Sequence, residues 1–178
     1  MTRKAMAKWV GLPGCVAIGI VILGAGLIGR VPPVRVVDIL DRCDPDSFNA
    51  MFGPNTCVFD HPGVSVDTFL RVLGNSGQIG AWHFSPRQVR LKEGQAFQAQ
   101  NSGGEVHTFT EVAEFGGGFI PELNDLTGNP IPAPECLDFP NIEFIPAGAS
   151  NAPEVDDAGE HKYMCCIHPW MRATVTVR

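Results

Sequence analysis

The last eight residues of the chain, MRATVTVR, alternate strictly between apolar and polar side chains. Successive side chains of a strand point to opposite faces of a sheet, so this pattern predicts a strand with one face on a core. The same period of two recurs in RQVRLKEGQAFQAQN, residues 87–101, where Glu93 and Gly94 form the predicted turn between two strands. With IGAWHF, EVHTFTE, NIEFI and HKYMCC, about seven strands fall within roughly one hundred residues, which predicts an all-β sandwich.

Length and composition agree with this class. The chain has 178 residues, which is room for about one domain with accessory segments. It contains 20 glycines and 15 prolines, and only 18% of its residues are charged. Such a composition is typical of a loop-rich β protein rather than a helical bundle.

The first thirty residues differ from the rest of the chain. Basic residues occur in MTRKAMAKW, and residues 10–29 then contain no charged residue. Twenty helical residues span about 30 Å, so residues 1–30 are predicted to be a transmembrane anchor or a cleavable signal peptide. In either case the rest of the chain is expected to be extracytoplasmic, in the periplasm or at the cell surface. Residues 31–37, with Pro32 and Pro33, are the predicted linker.

The charge distribution restricts the class of partner. Residues 1–30 contain four basic and no acidic residues, so residues 31–178 have a formal net charge of −10 against −6 for the whole chain. An exported domain this acidic argues against nucleic acid or anionic lipid as its partner, although residues 10–29 would tether it to a membrane if they are not cleaved.

The predicted β domain covers residues 38–178 and contains two additional segments. Residues 38–78 form a helical N-terminal extension. Residues 115–158 form a long loop insert that is rich in glycine, proline and acidic residues, and a connection of this length is usually functional or fixed by other contacts.

Helix boundaries are visible in the N-terminal extension. The first helix is predicted to begin after the N-cap Asp44 and to end at Gly53. The second is predicted to begin after the N-cap Ser65 and to end at Gly74.

Soft metal-ligand side chains are concentrated near the C-terminus, in YMCCIHPWM. Cys165, His168 and Met171 follow one another at intervals of three, and His107 lies in an upstream strand. Thiolate, imidazole and thioether together favour copper. Cys166 points to the opposite face of a strand from Cys165, so Cys165 is the predicted ligand.

This loop resembles the ligand loop of the cupredoxins, the blue copper proteins that include plastocyanin, pseudoazurin and amicyanin. Tyr163, two residues before the ligand cysteine, is also typical of that family. Upstream, FSPRQVRLKEGQAFQAQNSGGEVHTF is similar to the two strands that precede the family's first ligand histidine. The resemblance covers about residues 79–112 and 142–178.

The resemblance implies a cupredoxin-like Greek-key β-sandwich that binds one type 1 copper ion. Its equatorial ligands would be His107, Cys165 and His168, and Met171 would be the long axial ligand. Many cupredoxins have asparagine directly after the first ligand histidine, where it steadies the ligand loop and the cysteine sulfur. This chain has Thr108 at that position, and its hydroxyl group can do part of the same work. The N-terminal helices and the loop insert are absent from the minimal family fold.

Cysteines outside the predicted site are expected to form disulfides, because exported cysteines usually pair. Cys43, Cys57, Cys136 and Cys166 allow three pairings. We favour Cys43 with Cys57, across the first helix, and Cys136 with Cys166, which would link the insert to the ligand strand.

Other histidines give weaker signals. His161 could join Cys165, Cys166 and His168 in a zinc site, but neighbouring strand cysteines face apart. His61 and His83 have no second ligand at metal-binding spacing, so they are predicted to be structural or surface residues.

The predicted function is single-electron transfer, not catalysis. The redox partner would be a cytochrome or a copper protein that docks near His168, Pro169 and Trp170. A multicopper oxidase requires paired H-x-H motifs, which this sequence lacks. The alternative is an extracytoplasmic copper-binding module for storage, delivery or sensing without electron transfer.

Overall fold

The computed structural model describes residues 33–178, which contain nine β-strands, three α-helices and two 3₁₀ helices. The strands are β1 (Arg35–Leu40), β2 (His83–Ser85), β3 (Gln88–Leu91), β4 (Phe97–Asn101), β5 (His107–Thr108), β6 (Thr110–Val112), β7 (Phe144–Ile145), β8 (Gly159–Met164) and β9 (Arg172–Val177). The α-helices are α1 (Pro45–Phe52), α2 (Val66–Ser76) and α3 (Pro121–Leu126), and the 3₁₀ helices are Pro134–Leu137 and Phe139–Asn141.

The predicted signal peptide or anchor lies outside the described residues, as do the first two residues of the predicted linker. Within residues 33–178, none of the helices combines the length and the apolar character that crossing a bilayer requires.

Two sheets form the sandwich. One has the strand order β2-β1-β4, and the other has the order β3-β9-β8-β6. β1 pairs with β4 in parallel, and β3 pairs with β9 in parallel, whereas β8 and β9 form an antiparallel pair. A short antiparallel pair, β5 with β7, lies beside them. The predicted β-sandwich is therefore confirmed.

The core between the sheets follows from the alternation in the sequence. In β9 every second residue is buried, as the pattern predicts. One apolar cluster contains inward-facing residues of both sheets, among them Val37, Ile39, Phe84, Val89, Phe97, Val175 and Val177.

The turn at Glu93 and Gly94 connects the two sheets rather than closing a hairpin. Gly94 has a left-handed φ of 74°, as a tight turn requires. However, β3 before it pairs with β9, and β4 after it pairs with β1. The alternation predicted the strands, but it carried no information about which strands would pair.

The start of the domain differs from the predicted boundaries. Residues 35–37, assigned to the linker, are the first half of β1, and residues 38–40 complete this central strand instead of beginning a helical extension. β1 begins two residues after Pro33. Val37 and Ile39 then alternate with polar neighbours and are fully buried.

The two N-terminal helices form at the predicted capping residues. The Asp44 side chain accepts a hydrogen bond from Ser47 N, and the Ser65 side chain accepts one from Thr68 N. α1 ends at Gly53 as predicted, whereas α2 continues past Gly74 to the left-handed Gly77. A helix tolerates an internal glycine at a modest cost in free energy, so Gly74 does not end α2.

The segment 115–158 is more ordered than the predicted loop insert. It contains α3, both 3₁₀ helices and β7. Gly118 lies in the predicted loop insert, but it is buried, and a side chain there would collide with the carbonyl oxygen of Cys166. The glycine run therefore lets the segment pack directly behind the ligand loop.

Both predicted disulfides are confirmed. Cys43 is bonded to Cys57, and Cys136 is bonded to Cys166. The second bond ties the segment 115–158 to the residue that follows Cys165.

Candidate metal centre

Three of the predicted ligands come together from two parts of the sandwich. His107 lies in β5, Cys165 directly follows β8, and His168 lies in the loop between β8 and β9. Two backbone hydrogen bonds close this loop: Met171 N donates to the His168 carbonyl at 2.9 Å, and Cys165 N donates to the Met171 carbonyl at 3.0 Å. These bonds fold residues 165–171 into a tight turn. Cys165 and His168, which are three residues apart, therefore present their ligand-type atoms close together.

The ligand atoms form a compact triangle. Sγ of Cys165 lies 3.7 Å from Nδ1 of His107 and 3.8 Å from Nδ1 of His168, and the two nitrogens are 3.2 Å apart. The point equidistant from these three atoms in their plane lies about 2.1 Å from each, close to the bond length of a first-row metal ion to imidazole nitrogen or thiolate sulfur. The donor set therefore fits a single soft-to-borderline metal ion.

The electrostatics of the triangle favour a thiolate. Burial by itself raises the pKa of Cys165, but hydrogen bonding and charge from His107 and His168 outweigh burial and hold that pKa well below its ordinary value. Backbone N–H of Thr108 also donates to the sulfur at 3.4 Å. Thiolate is the form of cysteine that binds metal ions.

His107 is held from its other side by a carboxylate that the sequence analysis missed. Its Nε2 lies 2.9 Å from Oδ2 of Asp41, and both side chains are fully buried. Burial lowers the pKa of His107, but Asp41 and Cys165 raise it to about 10. Burial raises the pKa of Asp41, but the hydrogen bond and charge of His107 outweigh it and lower that pKa.

A second missed carboxylate lies behind the other histidine. Oε2 of Glu105 is 3.7 Å from Nε2 of His168 and accepts a hydrogen bond of 2.6 Å from Nε1 of Trp82. Burial raises the pKa of Glu105, against the opposing charge of His168. The only signal in the sequence was the proximity of Glu105 to His107.

Thr108 stabilises the ligand loop as predicted from its hydroxyl group. Its Oγ1 accepts a hydrogen bond of 2.8 Å from Cys166 N and another of 3.1 Å from Thr110 Oγ1. This links the first ligand strand to the residue after Cys165.

The alternative zinc site does not form. Cys166 forms a disulfide, so its sulfur cannot act as a thiolate ligand. It belongs to a small apolar cluster, whereas Cys165 belongs to the main core. The His161 side chain instead contacts Glu111, with Nδ1 2.7 Å from Oε1. His61 is exposed, as predicted, and His83 is partly buried in β2.

Met171 is 1% exposed and packs in the same core as Cys165. Its role as an axial ligand stays a prediction.

The predicted docking residues are less accessible than expected. His168 is 4% exposed, Pro169 is buried, and only Trp170 is partly exposed. The Trp170 ring lies 5.2 Å from the His168 ring and 5.8 Å from the Phe69 ring of α2, measured between centroids. Through Trp170, α2 thus packs against the side of the site on which His168 lies.

Comparison with known proteins gives similarity at the level of structure. No family model matches the sequence. No curated protein matches it either. Similar solved structures include a purple cupredoxin from Nitrosopumilus maritimus, with 15% identity, coverage of 81% of this chain and 99% of that chain, and a TM-score of 0.44. An oxidised amicyanin variant has 14% identity, 82% coverage of both chains and a TM-score of 0.41. A reduced amicyanin variant has 19% identity, coverage of 56% and 77%, and a TM-score of 0.38.

The two-sheet architecture and the ligand triangle at one end of β5 and β8 give this chain a cupredoxin-like fold.

Proposed function

We propose that this protein is an exported electron carrier that binds one type 1 copper ion through His107, Cys165 and His168, with Met171 as the axial ligand. The observation that supports this proposal is the buried triangle of two Nδ1 atoms and one Sγ atom. Copper in such a site supplies a one-electron couple whose potential depends on the axial ligand and on hydrogen bonds to the sulfur.

The chain contributes rigidity to this function. His107 is fixed by Asp41, the ligand loop is closed by its backbone hydrogen bonds, and Cys166 anchors that loop through its disulfide. Ligands that are already in place need little rearrangement when the charge of the site changes. A carrier needs this property because its turnover consists only of gaining and losing an electron.

The test is the visible spectrum of the purified full-length protein after addition of Cu(II). We expect an intense sulfur-to-copper band that disappears in Cys165→Ser and persists in the control His61→Ala, since His61 is an exposed residue. Absence of the band, or its persistence in Cys165→Ser, would overturn the assignment. Copper that binds without a reversible one-electron couple, and without electron exchange with a cytochrome, would support the storage or delivery alternative.

We further propose that electrons leave the site through Trp170 and that the redox partner, a cytochrome or another copper protein, docks beside it. Trp170 is the partly exposed member of the predicted docking residues, and its ring packs against that of His168. Trp170→Glu should slow electron exchange at least about tenfold, because it removes the aromatic ring that packs against His168 at the docking surface, whereas Trp170→Phe keeps an aromatic ring there and should exchange almost normally. An unchanged rate in Trp170→Glu, with an intact visible band, would refute this route.

A further inference from the structure

Each histidine of the triangle has a buried carboxylate on the side facing away from the metal site. The Asp41 carboxylate is 2.9 Å from Nε2 of His107, and the Glu105 carboxylate is 3.7 Å from Nε2 of His168. The Asp41 side chain has no solvent exposure, and that of Glu105 is 10% exposed. Charged groups this deeply buried are uncommon unless they have partners or a function.

Asp41 is held as a pure hydrogen-bond acceptor. Its Oδ1 accepts from Cys43 N at 3.1 Å, and its Oδ2 accepts from Glu105 N at 3.0 Å as well as from His107. A side chain at Gly103 would collide with Oδ2, so the glycine allows the 101–107 loop to close over the carboxylate. Because an ionised carboxylate only accepts, Nε2 of His107 must be the donor, so Nδ1 is the nitrogen that would bind a metal ion in the triangle after losing its proton.

Glu105 is positioned by a different set of contacts. The indole N–H of Trp82 donates to its Oε2, and the side chain of Asn101 donates to its backbone carbonyl at 2.7 Å. Trp82 is itself fully buried and stacks on Phe48 of α1. The N-terminal helices therefore contribute directly to the placement of a carboxylate beside His168.

Negative charge on Asp41 and Glu105 would act on a metal ion in the triangle and not only on the fold. A metal ion in the triangle would be separated from each carboxylate by a single imidazole ring, in surroundings of low dielectric constant where charges interact strongly. An anion stabilises the more highly charged oxidation state more than the less charged one. The same arrangement increases the basicity of the histidine that donates to the carboxylate.

We propose that Asp41, which orients His107 through its hydrogen bond, and Glu105, which places negative charge beside His168, bias the copper toward Cu(II) and give this carrier a low reduction potential. This inference rests on the proposed function. Asp41 has the larger effect, because it is hydrogen-bonded to its histidine, whereas Glu105 acts mainly through its charge.

The experiment uses the copper-loaded full-length protein and the neutral variants Asp41→Asn and Glu105→Gln. Glu105→Gln can keep an oxygen toward Trp82, so its change is chiefly the loss of charge. Asp41→Asn removes the charge but also sets an amide NH2 against one of the N–H donors, because both oxygens of Asp41 accept hydrogen bonds. Asp38→Asn is the matched control, because Asp38 is a partly buried acidic residue of β1, the strand that directly precedes Asp41. The visible band, the Cu(II) and Cu(I) affinities and the reduction potential are measured for all four proteins.

We expect every protein to keep the visible band. The ratio of Cu(II) to Cu(I) affinity should fall at least tenfold in Asp41→Asn, which for a one-electron couple is a rise of about 59 mV in reduction potential. Glu105→Gln should shift the ratio in the same direction by at least twofold, and Asp38→Asn should leave it within twofold of wild type. A role confined to folding would lower the stability without moving this ratio.

The outcomes separate the two proposals. If wild type lacks the visible band, the proposed function and this inference both fail. If the band is present but the ratio is unchanged in Asp41→Asn and Glu105→Gln, or if Asp38→Asn changes it equally, only this inference is overturned. Should Asp41→Asn not fold, Glu105→Gln alone decides the question by the same criterion.

Discussion

Met171 illustrates how one side chain can be tested separately from the triangle. It is buried next to the ligand loop, and its backbone closes that loop through both its N–H and its carbonyl group. We expect Met171→Leu to keep the visible band and to raise the reduction potential, because loss of a donating thioether destabilises Cu(II) more than Cu(I). Leucine conserves most of the volume, so the core should stay packed. Cyclic voltammetry provides the measurement, and a potential equal to that of wild type would exclude axial ligation by Met171.

Glu154 allows a prediction of pH dependence away from the metal centre. Burial and the neighbouring charges of Asp156 and Glu143 raise its pKa, although Tyr163 and Asn151 donate hydrogen bonds to it. A carboxyl group whose pKa is higher in the folded state holds its proton more tightly when folded. Its contribution to stability is therefore present below the ordinary pKa and is lost as the pH rises through the raised value.

The variant Glu154→Gln removes this titration. Its free energy of unfolding relative to wild type should increase as the pH is raised from about 4.5 toward neutrality, when both proteins are in the same metal state. Urea titrations at several pH values provide the measurement. Glu93→Gln, in an exposed turn, controls for the loss of one acidic residue. A difference that does not vary with pH would contradict the prediction.

At the scale of secondary structure, α2 is an integral part of the core. Phe69 is 3% exposed, and its ring contacts those of Phe48, Trp82 and Trp170 at centroid distances of 5.6, 4.9 and 5.8 Å. Phe69→Ala should lower the free energy of unfolding by about 3–5 kcal/mol, because it removes a large buried ring and leaves a cavity.

The neighbouring Leu70 provides the control for that measurement. Leu70 is 39% exposed, so Leu70→Ala should cost less than about 1 kcal/mol. Equal and small effects of the two substitutions in chemical denaturation would show that the helices pack loosely on the sandwich.

The elements also show which information the sequence contains. The alternation in β9 and the capping residues Asp44 and Ser65 predicted local structure, because these signals depend only on near neighbours. His107 and Cys165 were predicted as ligands because each lies in a motif with fixed spacing, and their ligand-type atoms lie close together. Pairing of β1 with β4 could not be predicted, because alternation defines a face but no partner.

Asp41 was missed for a related reason. It lies 66 residues before His107, at the end of a strand that was assigned to a linker and a helical extension. Nothing in its immediate sequence distinguishes it from the other acidic residues of that segment. Only the parallel docking of β1 on β4 brings it to the 101–107 loop, so its function depends on tertiary structure.

At the scale of the whole molecule, the dominant property is negative charge. The chain has a formal net charge of −6, and five carboxylates line one cavity of about 320 Å³: Glu111, Glu135, Asp138, Glu143 and Glu154. A field of one sign attracts oppositely charged partners over distances that depend on the salt concentration. For the proposed electron carrier, the acidic surface therefore favours a basic partner over an acidic one.

Ionic strength tests this preference with two small redox probes of opposite charge and one protein. The rate of electron exchange with a cationic complex such as hexaammineruthenium should fall about tenfold as the ionic strength rises from about 0.01 to 1 M, because the screening length decreases from about 30 to 3 Å. The rate with anionic ferricyanide should rise over the same range, since salt screens a repulsion. A general effect of salt on the copper site would change both rates in the same direction. Slopes of opposite sign therefore report the effect of the net charge. Slopes of the same sign would show that the net charge of the molecule does not govern access to the site from which electrons leave.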